Sequence, residues 1–108
     1  MIISTTETIA GYRIVEVLGV CRGNVVRAKH IGKDIMAGLK GIFGGEITQY
    51  TELMTDARDE AMARMQEDAR TKGADAIVNL RFVTSMIAQT MSELLVYGTA
   101  VKLEQTGG

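Results

Sequence analysis

Gly73-Ala74-Asp75-Ala76-Ile77-Val78 decides the fold, because a helix stop runs there straight into a strand. Upstream, the spacing predicts a helix from Tyr50 to Lys72, about 34 Å long at 1.5 Å per residue. Thr48 is placed as its N-cap, Glu52 sits in the first turn, and Arg70 and Lys72 sit in the last. Gly73 then supplies the left-handed position that ends a helix. The apolar stripe runs through Leu53, Met54, Ala57, Ala61, Met65 and Ala69. Glu60 with Arg64, and Asp68 with Lys72, form i,i+4 pairs toward solvent. The three alanines let such a helix lie close against a sheet.

Downstream, Ala76 to Val83 reads as a strand. Strict alternation puts Ala76, Val78, Leu80 and Phe82 on one face and Ile77, Asn79, Arg81 and Val83 on the other. A last strand, from about Met91 to Leu103 and including Tyr97-Gly98-Thr99-Ala100-Val101, is apolar on both faces. A strand apolar on both faces is buried on both faces. One helix covers one face of so small a sheet, so neighbouring subunits are the expected cover for the other.

Toward the N-terminus, Ile2 to Thr5 reads as a short strand. Residues 12–21 and 24–29 read as an antiparallel hairpin, with Arg22-Gly23-Asn24 as its turn. Ile35, Leu39, Ile42 and Phe43 predict a short amphipathic helix from Asp34 to Phe43, ended by Gly44-Gly45. Gly38 and Gly41 weaken that helix by about 1 kcal/mol each relative to alanine. Glu104 to Gly108 reads as a frayed polar tail. The chain contains no internal repeat and no low-complexity segment.

The 108 residues form one expected domain, spanning 1–108. A domain this small buries only about two-thirds of its unfolded surface, and oligomerisation is a natural way to bury more. A net charge of −1 with interspersed acids and bases, and no basic stripe, argues against a nucleic-acid partner. The first seven residues lack the pattern of a signal peptide, and no apolar run approaches the roughly 20 residues of a membrane span. The single cysteine cannot close an intrachain disulfide, so a cytoplasmic location is expected.

Few residues offer chemistry. Cys21 is the only thiol and His30 the only imidazole. A soft metal ion wants several such ligands converging, typically four for structural zinc. One subunit supplies two, although a symmetric ring repeats a thiol around its axis. The plainer reading makes Cys21 a small buried strand residue and His30 a loop residue. The seven methionines suit core packing better than a thioether metal site. Gly38, Gly41, Gly44 and Gly45 lack the Gly-Lys-Ser/Thr ending of a phosphate loop. No serine or threonine pairs with a base by spacing, and Asp56, Asp59, Glu60, Glu67 and Asp68 read as a solvated helix face. No catalytic residue is assigned.

Several positions together resemble the YbjQ-like family of small bacterial and archaeal proteins. They are Gly11, Ile14-Val15-Glu16, Gly19, Gly23, Asp34, Ala37-Gly38, Gly44-Gly45, Tyr50, Ala57-Arg58, Ala61, Ala69, Gly73-Ala74-Asp75-Ala76 and Gly98-Thr99-Ala100-Val101. The resemblance implies an α+β fold of dodecin type, with a curved antiparallel β-sheet (hairpin, helix, two further strands) packed on one long α-helix. It also implies a ring-shaped homopentamer in which strands from neighbours complete a barrel-like sheet. The family often carries the label "putative heavy-metal-binding", and a related archaeal branch is described as binding selenium through a cysteine. Dodecins bind flavin between aromatic rings, but this chain has no Trp.

Three functions follow as expectations. The first is a homopentameric scaffold that binds a small ligand or ion without catalysis. The second is a heavy-metal- or selenium-binding ring using Cys21, with His30 as a further ligand. The third is an enzyme with its site at subunit interfaces.

Overall fold

A computed structural model describes residues 1–28, 45–88 and 91–107. Its elements are β1 (Ile2–Ile3), β2 (Tyr12–Ala28), α1 (Gly45–Thr71), β3 (Ala76–Ala88) and β4 (Met91–Gln105). The four strands form one sheet in the order β1-β3-β4-β2. The fold is α+β, as expected. The sheet is mixed rather than wholly antiparallel, because β1 runs parallel to β3 with Ile2 opposite Ala76. The expected helix at Asp34–Phe43, the glycines before Gly45, and His30 lie outside the described residues.

The expected hairpin at Arg22-Gly23-Asn24 is not formed. Residues 12–28 are one strand, paired with β4 from Tyr12 opposite Gln105 to Ala28 opposite Met91. The glycine serves packing instead of turning. A Cβ at Gly23 would strike the Ala61 carbonyl oxygen and lie 2.5 Å from the Met65 nitrogen. Gly23 is therefore where the helix backbone rests on the sheet.

Helix α1 begins at Gly45, so Thr48 lies inside it rather than capping it. It ends as expected, with Gly73 at φ 79 and the Gly73 N–H donating to the Arg70 carbonyl at 2.9 Å. Ala57, Ala61, Met65 and Ala69 are buried against Cys21, Val25, Leu94, Val96 and Ala100. Leu53, nearer the start of the helix, is 37% exposed.

Strand β3 breaks the alternation read from sequence. Val78 faces Thr99 and Arg81 faces Tyr97, so Asn79 and Leu80 together oppose Gly98 in a β-bulge. Asn79 takes φ 55, a left-handed conformation that asparagine tolerates better than most residues. The extra residue moves Leu80 and Phe82 onto the helix face with Ile77 and leaves Ala76 and Val78 on the other. Ile9 and Ile14 pack over Ala76, Val78, Val101 and Leu103 on that second face. The chain's own N-terminal half therefore covers part of the face that the sequence assigned to neighbouring subunits.

The shape is elongated, 60 × 25 × 17 Å with a Cα radius of gyration of 18.0 Å. A compact domain of this length would have a radius of about 13 Å. Its accessible surface is 7145 Å², against about 5,900 Å² for a compact monomer of the same mass.

Candidate functional site

Cys21 sits in the middle of β2, opposite Gly98, and its side chain points at the helix. It is fully buried, and its thiol donates a weak hydrogen bond to the Gly98 carbonyl with Sγ 3.6 Å from the oxygen. Burial pushes the thiol above its usual ionisation range, and the nearby Asp68 carboxylate pushes the same way. A soft metal binds thiolate, not thiol. In this arrangement, metal or selenium can reach the sulfur only if helix α1 lifts from the sheet. The remaining candidate, His30, lies outside the described residues. Among the described residues, no three His, Cys, Asp or Glu side chains converge as a metal group.

A charged lattice holds the helix over Cys21. The Arg22 N–H donates to Asp68 Oδ2 at 3.0 Å, and Lys72 Nζ lies 2.8 Å from Asp68 Oδ1. These two donors hold the Asp68 carboxyl below its usual range. Arg64 Nη1 donates to the Asn24 carbonyl at 2.6 Å, and Glu60 pairs with both Arg64 and Arg27. Sequence spacing anticipated the pairs Glu60–Arg64 and Asp68–Lys72 as solvent-side pairs. It did not show that both acids also reach strand β2, because cross-element partners leave no local spacing signal.

The opposite end of β3 is bare. From Arg81 to Ala88 every residue is exposed, including Phe82 and Val83 at 42% each, Ile87 at 55% and Met86 at 74%. The N-terminal segment follows β3 only as far as Leu80, whose N–H donates to the Ser4 carbonyl at 3.1 Å. Beyond Leu80, the outer edge of β3 has no strand partner among the described residues.

The fold and this site define a small sheet-and-helix domain with a sealed thiol and an uncovered apolar strand, and no described helix is long and apolar enough to cross a membrane. The chain belongs to the YbjQ family, described as "Putative heavy-metal-binding", whose model matches residues 1–104. It is 61% identical over 105 residues to a UPF0145 protein of Colwellia psychrerythraea, covering 97% of this chain and 100% of the relative. An archaeal relative, a UPF0145 protein of Methanosarcina acetivorans, is 54% identical over 103 residues, covering 95% of this chain and 97% of its own. Among solved structures, a DUF74-family protein of unknown function from Pediococcus pentosaceus superposes with a TM-score of 0.66. That match covers 96% of this chain and 98% of the other at 19% identity, and it bears on the fold alone.

Proposed function

We propose that the protein is a cytoplasmic, self-assembling scaffold, a homopentameric ring that holds a small ligand or ion and performs no catalysis. The observation that carries this reading is the stretch Arg81–Ala88, a strand exposed on both faces whose outer edge has no strand partner among the described residues. An extended apolar edge is a template for pairing with another chain. The accessible surface exceeds that of a compact monomer by about 1,200 Å², more than the roughly 800 Å² that each partner buries in a standard interface. A second copy pairing along β3 removes both features, and the contact builds a ring when a different surface of that copy lies against β3 and the rotation closes. Native mass spectrometry on gently purified protein tests the reading. A five-subunit mass is expected, with a reproducible extra mass if a ligand is retained. A monomer at micromolar concentration overturns it.

The family description supports a second reading, in which the ring holds a heavy metal or selenium through Cys21. The buried thiol makes that reading conditional on movement of helix α1. Metal and selenium content measured on wild type and on Cys21→Ser at equal loading decides it. Equal content in both proteins removes the thiol from the account.

A further inference from the structure

On the sheet face away from the helix, the strand register builds a row whose presence the sequence does not reveal. Tyr97 of β4 lies opposite Arg22 of β2 on one side and Arg81 of β3 on the other. Partners across a ladder share a face, and Tyr97 alternates with Val96, which is buried beneath the helix. The three side chains therefore stand together on the opposite face. All three are exposed, with the tyrosine 37% accessible. The bulge at Asn79–Leu80 makes the row, because strict alternation from Val78 would have put Arg81 on the helix side.

The row carries two positive charges, and Asp68, which accepts the Arg22 N–H at the outer edge of β2, offsets part of that of Arg22. Among the described residues neither Arg22 nor Arg81 forms an ion pair with a carboxylate. On β2, β3 and β4 the nearest carboxylate that the register puts on this face is Glu93, four residues along β4, and Asn24 Nδ2 lies 3.3 Å from it. The Arg81 guanidinium is fixed in place, with Nη1 donating to the Thr5 carbonyl at 3.0 Å and to the Leu80 carbonyl at 2.7 Å. A guanidinium held by one nitrogen still presents the rest of its planar fork of donors to an anion. The arginine backbones lie two strand spacings apart, about 9.5 Å, which suits a small ligand lying over the central ring.

We propose that Arg22, Tyr97 and Arg81 form a binding site for a flat aromatic molecule carrying a phosphate. The ring stacks on Tyr97 and the phosphate is held by the two guanidiniums. The proposal rests on the scaffold reading for its small ligand, and Arg81 opens the stretch Arg81–Ala88 that the ring reading gives to a partner, so the native mass is recorded with each titration to tell failure of the site from failure of the ring.

AMP is a suitable probe, with adenosine and inorganic phosphate as its two halves. The test is calorimetric titration of the full chain at low salt, with the native mass of each sample recorded alongside. AMP is expected to bind once per subunit with a Kd below about 1 mM. Adenosine and phosphate are each expected to bind at least about tenfold more weakly, because each uses only part of the row. Arg22→Gln and Arg81→Gln should each weaken AMP at least about fivefold, and added salt should do the same to wild type. Tyr97→Leu should reduce AMP to the level of phosphate, while Tyr97→Phe keeps the stack. Arg81 also ties down Thr5 and Leu80, so Arg22→Gln, whose guanidinium makes no hydrogen bond among the described residues, keeps the test decisive if Arg81→Gln unfolds. The proposal is overturned if AMP gives no binding, if phosphate binds as tightly as AMP, or if Arg22→Gln leaves AMP unchanged. An unchanged native mass with AMP binding lost would remove the site without touching the ring, and a monomer that binds AMP would do the reverse.

Discussion

The two edges of this sheet are treated in opposite ways. Along the middle of β2, the helix reaches over the edge. Asp68 takes the Arg22 N–H, Arg64 takes the Asn24 carbonyl, and Glu60 pairs with Arg27. Charged side chains that occupy outward backbone groups are a recognised defence against unwanted strand pairing. Along β3 beyond Leu80, no such guard is present among the described residues, and the exposed side chains include Phe82, Val83, Met86 and Ile87. A protein that blocks one edge and leaves the other greasy has assigned them different tasks. The guarded edge belongs to the internal fold, and the bare edge suits a partner.

The largest expected effect breaks the guarded side at its closest contact. Gly23→Ala places a methyl group against the helix backbone at Ala61 and Met65, neither of which is a flexible side-chain end. Overpacking of this kind costs about 3 kcal/mol or more. For a domain of this size that lowers the thermal midpoint by more than about 12 °C. Circular dichroism melts measure it, and a shift of only a few degrees would mean that helix and strand are not so tightly apposed. Met65→Ala, which empties a fully buried position under the same helix, is expected to cost about 2–5 kcal/mol.

A substitution on the bare side should behave in the opposite way. Met86 is 74% exposed, so Met86→Lys should change the stability of the isolated subunit by no more than about 0.5 kcal/mol. If β3 is the assembly edge, the buried charge weakens association by about 30-fold or more, and the mass distribution moves toward monomer. Sedimentation over a concentration series separates the two effects. Retention of the wild-type mass would sharpen the comparison by moving the interface elsewhere.

The extent to which sequence reveals this arrangement follows the range of the interactions. Helix α1, its Gly73 stop and the two-faced strand β4 were legible because each rests on local periodicity or on one glycine. Gly23 was misread as part of a turn because a glycine that admits a helix backbone and one that turns a hairpin look alike in a single chain. The bulge at Asn79 was invisible for a related reason. Asparagine in a strand is only mildly unusual, yet its left-handed backbone changed the face of every residue after it. Cys21 was identified from its rarity, and whether it faced solvent or core was a question only tertiary packing could answer. The Arg22–Tyr97–Arg81 row required both the register and the bulge.

Cys21 offers a probe of the sealed side that does not disturb it. Its thiol ionises above its ordinary value of 9.0 in the folded protein, so the unfolded chain loses this proton at lower pH. The resulting contribution to stability is complete below pH 9.0 and is lost as pH rises through the raised folded value. Alkylation at pH 8 should be slow in native protein and rapid in denaturant. Fast native labelling would show that the helix lifts readily, which is the movement the metal reading requires.

The smallest effect is expected at Asp68, whose carboxylate joins the helix to the guarded edge. Its folded pKa is lowered by Lys72 and the Arg22 N–H, so the stabilisation is present above the ordinary carboxyl value of 3.8 and is lost as pH falls through the folded value. Asp68→Asn keeps the shape and a carbonyl acceptor but removes the charge. Solvent screens the partly exposed pair with Lys72, so the cost near neutral pH should be about 1 kcal/mol or less. The variant should also lose part of the acid-induced decline in stability that wild type shows below pH 3.8, measurable as a shallower fall in urea midpoint. The informative readout is association. Asp68→Asn leaves the Arg22 N–H with a weaker partner at the one edge the protein protects. If larger species then appear at concentrations where wild type keeps a single mass, Asp68 is a guard of that edge as well as a clamp. An unchanged mass with the same small loss of stability would confine it to clamping the helix.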